Sequence, residues 1–214
     1  MKRLFSNIAL ISFLSLALIS CKDKAQEAET TAAEQAAETT TTSTKYKVDT
    51  EASIISWKGS KPTGSHNGTI AVESGVFNIK DGAIESGTFL IDMNSIVVKD
   101  IPAEEEGNAK LLGHLKSDDF FNVEAYPSAA FEVTAFSEGK LSGNLKIKDK
   151  TNNITFPVTI NETDGTVTIS SENFTIDRSK WDIKYGSKSF FDDLGDKFIN
   201  DDIELKINIK ANKA

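Results

Sequence analysis

One cysteine, Cys21, serves a chain of 214 residues. No disulfide can form within it, so any folded part must stand on its packed core. Histidine occurs only as His66 and His114. Two histidines without a local ligand pattern do not make a zinc site, and no metal is expected. Nucleophile motifs and glycine-rich phosphate loops are missing, and no carboxylate spacing singles out an acid/base pair. The chain is therefore not expected to be an enzyme or to need a cofactor. Asp192, Asp193 and Asp196 read as the wet face of a short helix rather than as a cation site. Acids outnumber bases, 32 Asp and Glu against 24 Lys and Arg, for a formal net charge of −8. That balance argues against nucleic acid or an anionic membrane surface as a partner. No apolar run reaches the ~20 residues that a spanning helix needs.

A shorter apolar run is present, and its context is specific. Lys2 and Arg3 precede residues 8–18, where Ser12 and Ser15 are the only polar interruptions. This is the layout of a cleaved secretory signal. The run ends in Leu18-Ile19-Ser20-Cys21, which resembles the lipobox of bacterial lipoproteins. The expectation is cleavage of residues 1–20 and acylation of Cys21, which would anchor the chain to a membrane of the cell envelope. Two or more acyl chains give stable anchoring where one gives marginal binding. Loss of Lys2 and Arg3 would take the formal charge from −8 to −10. Residues 22–44 hold no aromatic and no large aliphatic side chain. Such a segment cannot bury enough surface to offset its ordering entropy. Residues 21–44 are expected to be a lipid-anchored flexible linker.

Residues 45–214, 170 in all, suit one domain. The dominant period is two. Ile203, Leu205, Ile207 and Ile209 alternate with Glu204, Lys206 and Asn208. Leu141, Gly143, Leu145 and Ile147 do the same, as do Ile154, Phe156, Val158 and Ile160. Shorter sets include Ile55 and Trp57; Phe89, Ile91 and Met93; Phe131, Val133 and Ala135; Phe174 and Ile176; and Trp181, Ile183 and Tyr185. Alternation marks strands with one buried face. Asp81-Gly82 and Asp164-Gly165 suit tight hairpins. Pro157 within a strand pattern points to an edge or a bulge. Residues 108–116 and 189–199 break the rhythm with apolar positions at helical spacing, and read as one or two short helices or turns capping an opening. About eight antiparallel strands imply an all-β barrel or sandwich. An eight-stranded barrel either fills its interior with side chains or holds one small ligand; periodicity leaves both open.

Several ordered segments carry a family resemblance. His114-Leu115-Lys116-Ser117-Asp118-Asp119-Phe120-Phe121-Asn122-Val123, followed by Tyr126-Pro127 and Phe131, resembles the central signature of the YceI-like family. Tyr46-Lys47-Val48-Asp49 with Ile55-Ser56-Trp57 resembles its opening. Gly87-Thr88-Phe89-Leu90-Ile91-Asp92-Met93, Gly143-Asn144-Leu145-Lys146-Ile147 and Phe156-Pro157-Val158 follow in order, and Asp177-Arg178-Ser179-Lys180-Trp181 resembles the late signature. One departure stands out: where the family commonly has a strand of alternating aromatic residues and histidine, this chain has a run from Trp57 to His66 with neither alternation. The resemblance spans residues 45–214. It implies a lipocalin-like antiparallel barrel whose hollow interior binds a long isoprenoid or similar apolar lipid for transport or storage. Several members of that family are periplasmic and the best-studied type forms dimers, so a homodimer is one expectation here. For the lipid anchor at Cys21 the outer membrane, with the domain in the periplasm, is the expected place.

On that reading Trp57, Phe89, Ile91, Phe131, Leu145 and Phe156 face inward onto the ligand, together with Phe174, Ile176 and Leu205. His114 either fixes its helix end through a local hydrogen bond or meets a polar ligand head. Arg178 shares parity with Phe174 and Ile176; it either meets an anionic head group or pairs with a carboxylate such as Asp92. The competing readings are a filled β-domain acting as an envelope scaffold or adhesion protein and, more remotely, a hydrolase of envelope lipids.

Overall fold

A computed structural model describes residues 25–214 of the chain. The expected export signal and Cys21 lie outside the described residues. Two short strands come first, β1 (Gln26–Glu27) and β2 (Glu29–Ala32). β3 (Thr44–Val48) and β4 (Ile54–Lys61) lead into the long pair β5 (Gly64–Lys80) and β6 (Ala83–Val98). One helix, α1 (Glu106–Lys116), separates these from β7 (Ser128–Ser137), β8 (Lys140–Ile147) and β9 (Lys150–Pro157). The hairpin β10 (Thr159–Thr163) and β11 (Thr166–Ser170) follows, then β12 (Phe174–Asp177) and β13 (Asp202–Lys213). All belong to one sheet, and every pairing is antiparallel except β1 with β12.

The turns that close this sheet follow their chemistry. Asp81 and Gly82 have φ of 51° and 77°, and Asp164 and Gly165 have 50° and 76°. Two successive positive φ values match the right-handed twist of the flanking strands, which glycine accepts without strain. Pro157 is the last residue of β9, so its missing N–H interrupts no ladder. The helical spacing in residues 108–116 becomes α1, whose end is fixed by the Ser117 hydroxyl donating to the His114 carbonyl at 2.8 Å. The spacing in residues 189–199 yields only a single 3-10 turn, Gly195–Lys197. Positive φ at Gly186, Asp193 and Gly195 breaks the helix before it starts. The period of two through Trp181, Ile183 and Tyr185 is not a strand either. Arg178–Trp181 forms a 3-10 turn that stops at Asp182 in the left-handed region, φ 57°.

The expected flexible linker is corrected over residues 26–44. β1 lies parallel to β12, with Gln26 opposite Phe174, and β2 lies antiparallel to β9, with Thr30 opposite Ile154. The segment then crosses the outside of the barrel. Glu34 donates its N–H to Asn144 Oδ1 at 2.9 Å and accepts from Asn144 Nδ2 at 2.7 Å. Ala37 donates to the Val133 carbonyl, and Thr40 donates both its N–H and its hydroxyl to the Glu85 carboxylate. The segment buries almost no apolar side chain of its own. Its partners are backbone edges and outward polar side chains of the barrel, which satisfy donors that solvent would otherwise take.

This strap completes the ring. The strand order runs β1-β12-β13-β3-β5-β6-β7-β8-β9-β2. At one end of the barrel β10 and β11 pair directly. Further along, β9 and β12 diverge, and no backbone pairing joins them among the described residues. Residues 26–32 fill that split, and Ala28 N–H donates to the Thr175 carbonyl at 2.8 Å.

Candidate functional site

Aromatic rings form a belt around the inside of the barrel. Tyr46 on β3 stacks on Phe77 of β5, with centroids 5.7 Å apart, and Phe77 stacks on Phe89 of β6. Phe89 contacts Phe131 of β7, Phe131 contacts Phe156 of β9 at 5.9 Å, and Phe156 stacks on Phe174 of β12 at 4.3 Å. Between β7 and β9 stands β8, and it contributes a glycine there. A Cβ on Gly143 would sit 2.2 Å from Phe131 Cζ. The ring of Phe131 lies over that glycine and so reaches Phe156. Gly68 has the same relation to Trp57, whose ring atoms would be 2.8 Å from an added Cβ.

Above the belt is a cavity of about 450 Å3, within the ~300–1,000 Å3 of small-molecule sites. Its wall takes Trp57 from β4, Phe89 and Ile91 from β6, and Phe131 from β7. Leu145, Phe156, Phe174, Ile176 and Leu205 supply the rest of the wall expected from the sequence. His114 and Arg178 lie at its upper end. Every inward residue read from strand parity thus borders one cavity. Tyr46 and Phe77 escaped the sequence reading. Both lie in the belt and not on the cavity wall. Alternation placed Gly143 on the inward face, but its effect, the space it leaves for Phe131, is visible only in the structure.

The upper end is built by α1 and the segment after β12. Leu111, His114 and Leu115 of α1 line the cavity with Phe120, Tyr185 and Ile199. Exposed Lys61, Gly64 and Tyr185 share this lining, so the cavity reaches the surface here. Tyr185, Phe190 and Phe191 are exposed aromatics beside this mouth. Lys184 lies over the Phe190 ring and Lys188 over Phe198.

Arg178 is 1% exposed, and its guanidinium makes three hydrogen bonds to backbone carbonyls. Nε donates to the Asn200 carbonyl, Nη1 to Ile183 and Nη2 to Ile199. Nη2 also stands 3.2 Å from Asp201. The ionic partner is Asp201 and not the Asp92 named from sequence, because the 3-10 turn at Arg178 carries the side chain toward the start of β13. Burial pushes the Arg178 pKa down, opposed by Asp201 and Asp177. The same bonds hold the mouth segment onto the barrel. The His114 ring packs edge-on against Phe120 at 5.1 Å and Tyr185 at 4.4 Å. Its Nε2 has no hydrogen bond and stands 3.5 Å from Asp119. The helix end is fixed by Ser117, so the role expected of the His114 side chain there is filled by another residue. Among the described residues, no three His, Cys, Asp or Glu side chains form a group that could hold a metal.

At the outer rim His66 Nδ1 contacts Asp100 at 2.8 Å. Burial raises the Asp100 pKa, but the Asn67 N–H and His66 outweigh it and hold the carboxyl below its ordinary value.

A barrel with an apolar interior and one helix beside its mouth matches a known family. The YceI-like domain model matches residues 46–211. This chain belongs to the YceI-like family. The YceI-like barrel is similar in fold to BcnA of Burkholderia cenocepacia, with 21% identity and a TM-score of 0.55 over 77% of this chain and 99% of that one. It is similar, at 15% identity and a TM-score of 0.57, to a polyisoprenoid-binding domain from Saccharophagus degradans implicated in plant cell wall breakdown; the match covers 79% and 98% of the two chains. A UPF0312 protein of Staphylococcus aureus strain bovine RF122 / ET3-1 is 38% identical over 34% of this chain and 46% of its own length. This YceI-like chain thus spans less than half of that curated relative.

Proposed function

We propose that this protein is an envelope lipoprotein that binds one apolar, isoprenoid-like lipid inside its barrel and carries or stores it. The observation that carries the reading is the cavity itself, walled by Trp57, Phe89, Phe131, Phe156, Phe174 and Leu205 and open at one end. A filled scaffold would have no reason to leave that volume unoccupied, since interiors normally pack without large voids. Each buried methylene contributes about 0.8 kcal/mol, so several isoprene units gain on the order of 10 kcal/mol before ordering costs. Three Arg178 donors are bonded to backbone carbonyls and Asp201 stands beside it, which favours a role in the fold over capture of an anionic head group. The lipobox at Cys21 supports anchoring to a membrane, and we propose the outer membrane with the barrel in the periplasm.

The test is native mass spectrometry of the exported, gently purified protein, followed by organic extraction. A bound mass that matches a polyprenyl lipid and disappears on extraction is the expected result. A clean protein mass with no uptake of added farnesol or longer prenols would favour the scaffold. Phe156→Asp should lower prenol affinity at least tenfold, because a carboxylate in an apolar wall has no partner; unchanged affinity would remove Phe156 from the site.

A further inference from the structure

The split between β9 and β12 is a place where the barrel wall is not made by the barrel's own strands. Directly behind it lie Phe156 and Phe174, both cavity residues, stacked on each other at 4.3 Å. One residue on in each register, Ala28 comes level with Phe156 on one side and Ile176 on the other. Its side chain is buried in the core. A small residue is required here, because two rings already occupy the space beneath. Ala28 is also the only buried side chain between residues 25 and 44.

The rest of the strap is polar or small: Gln26, Glu27, Glu29, Thr31 and Glu34 are exposed, and Thr30, Ala36, Ala37, Ser43 and Thr44 are half-buried. Apart from the buried Ala28 methyl, the strap is held by hydrogen bonds, which water can replace. Its removal would bare the facing edges of β9 and β12, together with Asn144 and Asn153, outward polar side chains that are buried beneath it. Asn153 Nδ2 donates to Thr134 Oγ1 and Asn144 Oδ1. The amide groups on the barrel thus stay paired with each other when Glu34 departs, and solvent can satisfy the rest.

We propose that the split between β9 and β12 is a strand-acceptor site in the wall of the lipid cavity, that residues 26–32 are its built-in exchangeable strand, and that their withdrawal opens a side entrance through which an apolar lipid chain passes. This rests on the lipid-binding reading above. The occupied state is the one described here, with the entrance shut by Ala28 over the Phe156–Phe174 pair. The mouth under α1 then serves the more polar end of the ligand, and the side entrance spares the chain an end-on path past His114, Phe120 and Tyr185.

The experiment locks the strand. Glu29 and Thr155 are direct partners in the β2–β9 register. The full chain carrying Cys21→Ser, Glu29→Cys and Thr155→Cys is loaded with dansyl-farnesylamine, and probe release to excess lipid vesicles is followed with the pair oxidised and reduced. Oxidation should slow release at least tenfold, and reductant should restore it. Asn144→Ala, which removes both bonds to Glu34 without touching the cavity, should speed release several-fold. Equal rates in the locked, reduced and Asn144→Ala forms would overturn the side entrance while leaving lipid binding standing. Failure of every form to take up the probe would overturn the lipid reading and the entrance with it. Hydrogen exchange adds a readout without ligand. The amides of Ala28 and Ala37 should exchange at least a hundredfold faster than those of β5 and β6; equal protection would show a permanent strand and overturn the proposal.

Discussion

Gly143 and Phe131 illustrate how one residue's absence of a side chain places another's. Ala at position 143 would put a methyl 2.2 Å from Phe131 Cζ, so the ring must move or the strands must part. Gly143→Ala should cost about 1–3 kcal/mol, as overpacked cores do, seen as a lower urea midpoint. Adding Phe131→Leu should recover part of that loss, since neighbours in contact are not additive; additive losses would mean the two do not meet. Arg178 behaves differently. Its replacement by Met would leave three carbonyls without a donor and Asp201 without its cation. Breaking one side of such a pair costs about 3–5 kcal/mol. The expected outcome for Arg178→Met is a large fall in thermal stability with unchanged farnesol affinity at temperatures where the variant is folded. A selective loss of affinity for anionic prenyl lipids, with stability intact, would instead make Arg178 a ligand contact.

At the scale of elements, the strap carries its own pH dependence. The Glu85 carboxylate accepts two hydrogen bonds from Thr40, and these hold its pKa below the ordinary glutamate value. A carboxyl with a depressed folded pKa contributes stability that is full above the unfolded value, about 4.3, and lost as pH falls through the folded one. Acid should therefore release residues 40–43 first. Amide exchange across a pH series should show Thr40 losing protection in acid, at a pH below the ordinary glutamate value, with β5 and β6 unaffected; Glu85→Gln should remove the step. The strap was illegible in the sequence because its attachment is written on the other side. Asn144, Asn153 and Ser86 occupy wet-face positions of good strands, and alternation reads them as solvated, while Glu85 joins them only through a register shift in the β5–β6 pair. The barrel strands were legible for the opposite reason. Ile203, Leu205, Ile207 and Ile209 bury their own apolar face, and the Asp-Gly pairs fix their own turns. The mouth segment misled because Phe190, Phe191, Leu194 and Phe198 keep helical spacing while Asp193 and Gly195 adopt positive φ between them. Part of the cavity wall was readable from parity, while lining residues such as Ile70, Val72, Ile96 and Ile169 were not named from it. The hollowness of the cavity was not readable, because emptiness depends on how rings such as Phe131 are displaced by glycines across the barrel.

At the scale of the whole molecule, a ligand bound only by the folded barrel adds stability by mass action. At a free concentration one hundred times its dissociation constant the gain is about 2.7 kcal/mol. For a domain of this size that corresponds to about 5–10 °C in Tm. Extraction of bound lipid should lower the melting temperature by that amount, and added farnesol should restore it; an unchanged Tm would argue for an unliganded barrel. The strap has a further consequence if Cys21 is acylated as proposed. While residues 26–44 stay on the barrel, only five residue steps join the lipidated cysteine to the wall, a leash of at most ~17 Å. Once they leave, the same leash reaches Lys45 and can extend to ~80 Å. One segment thus sets how far from the bilayer the barrel can travel: a strap held along its whole length would moor it close, and one released along its whole length would let it range farther.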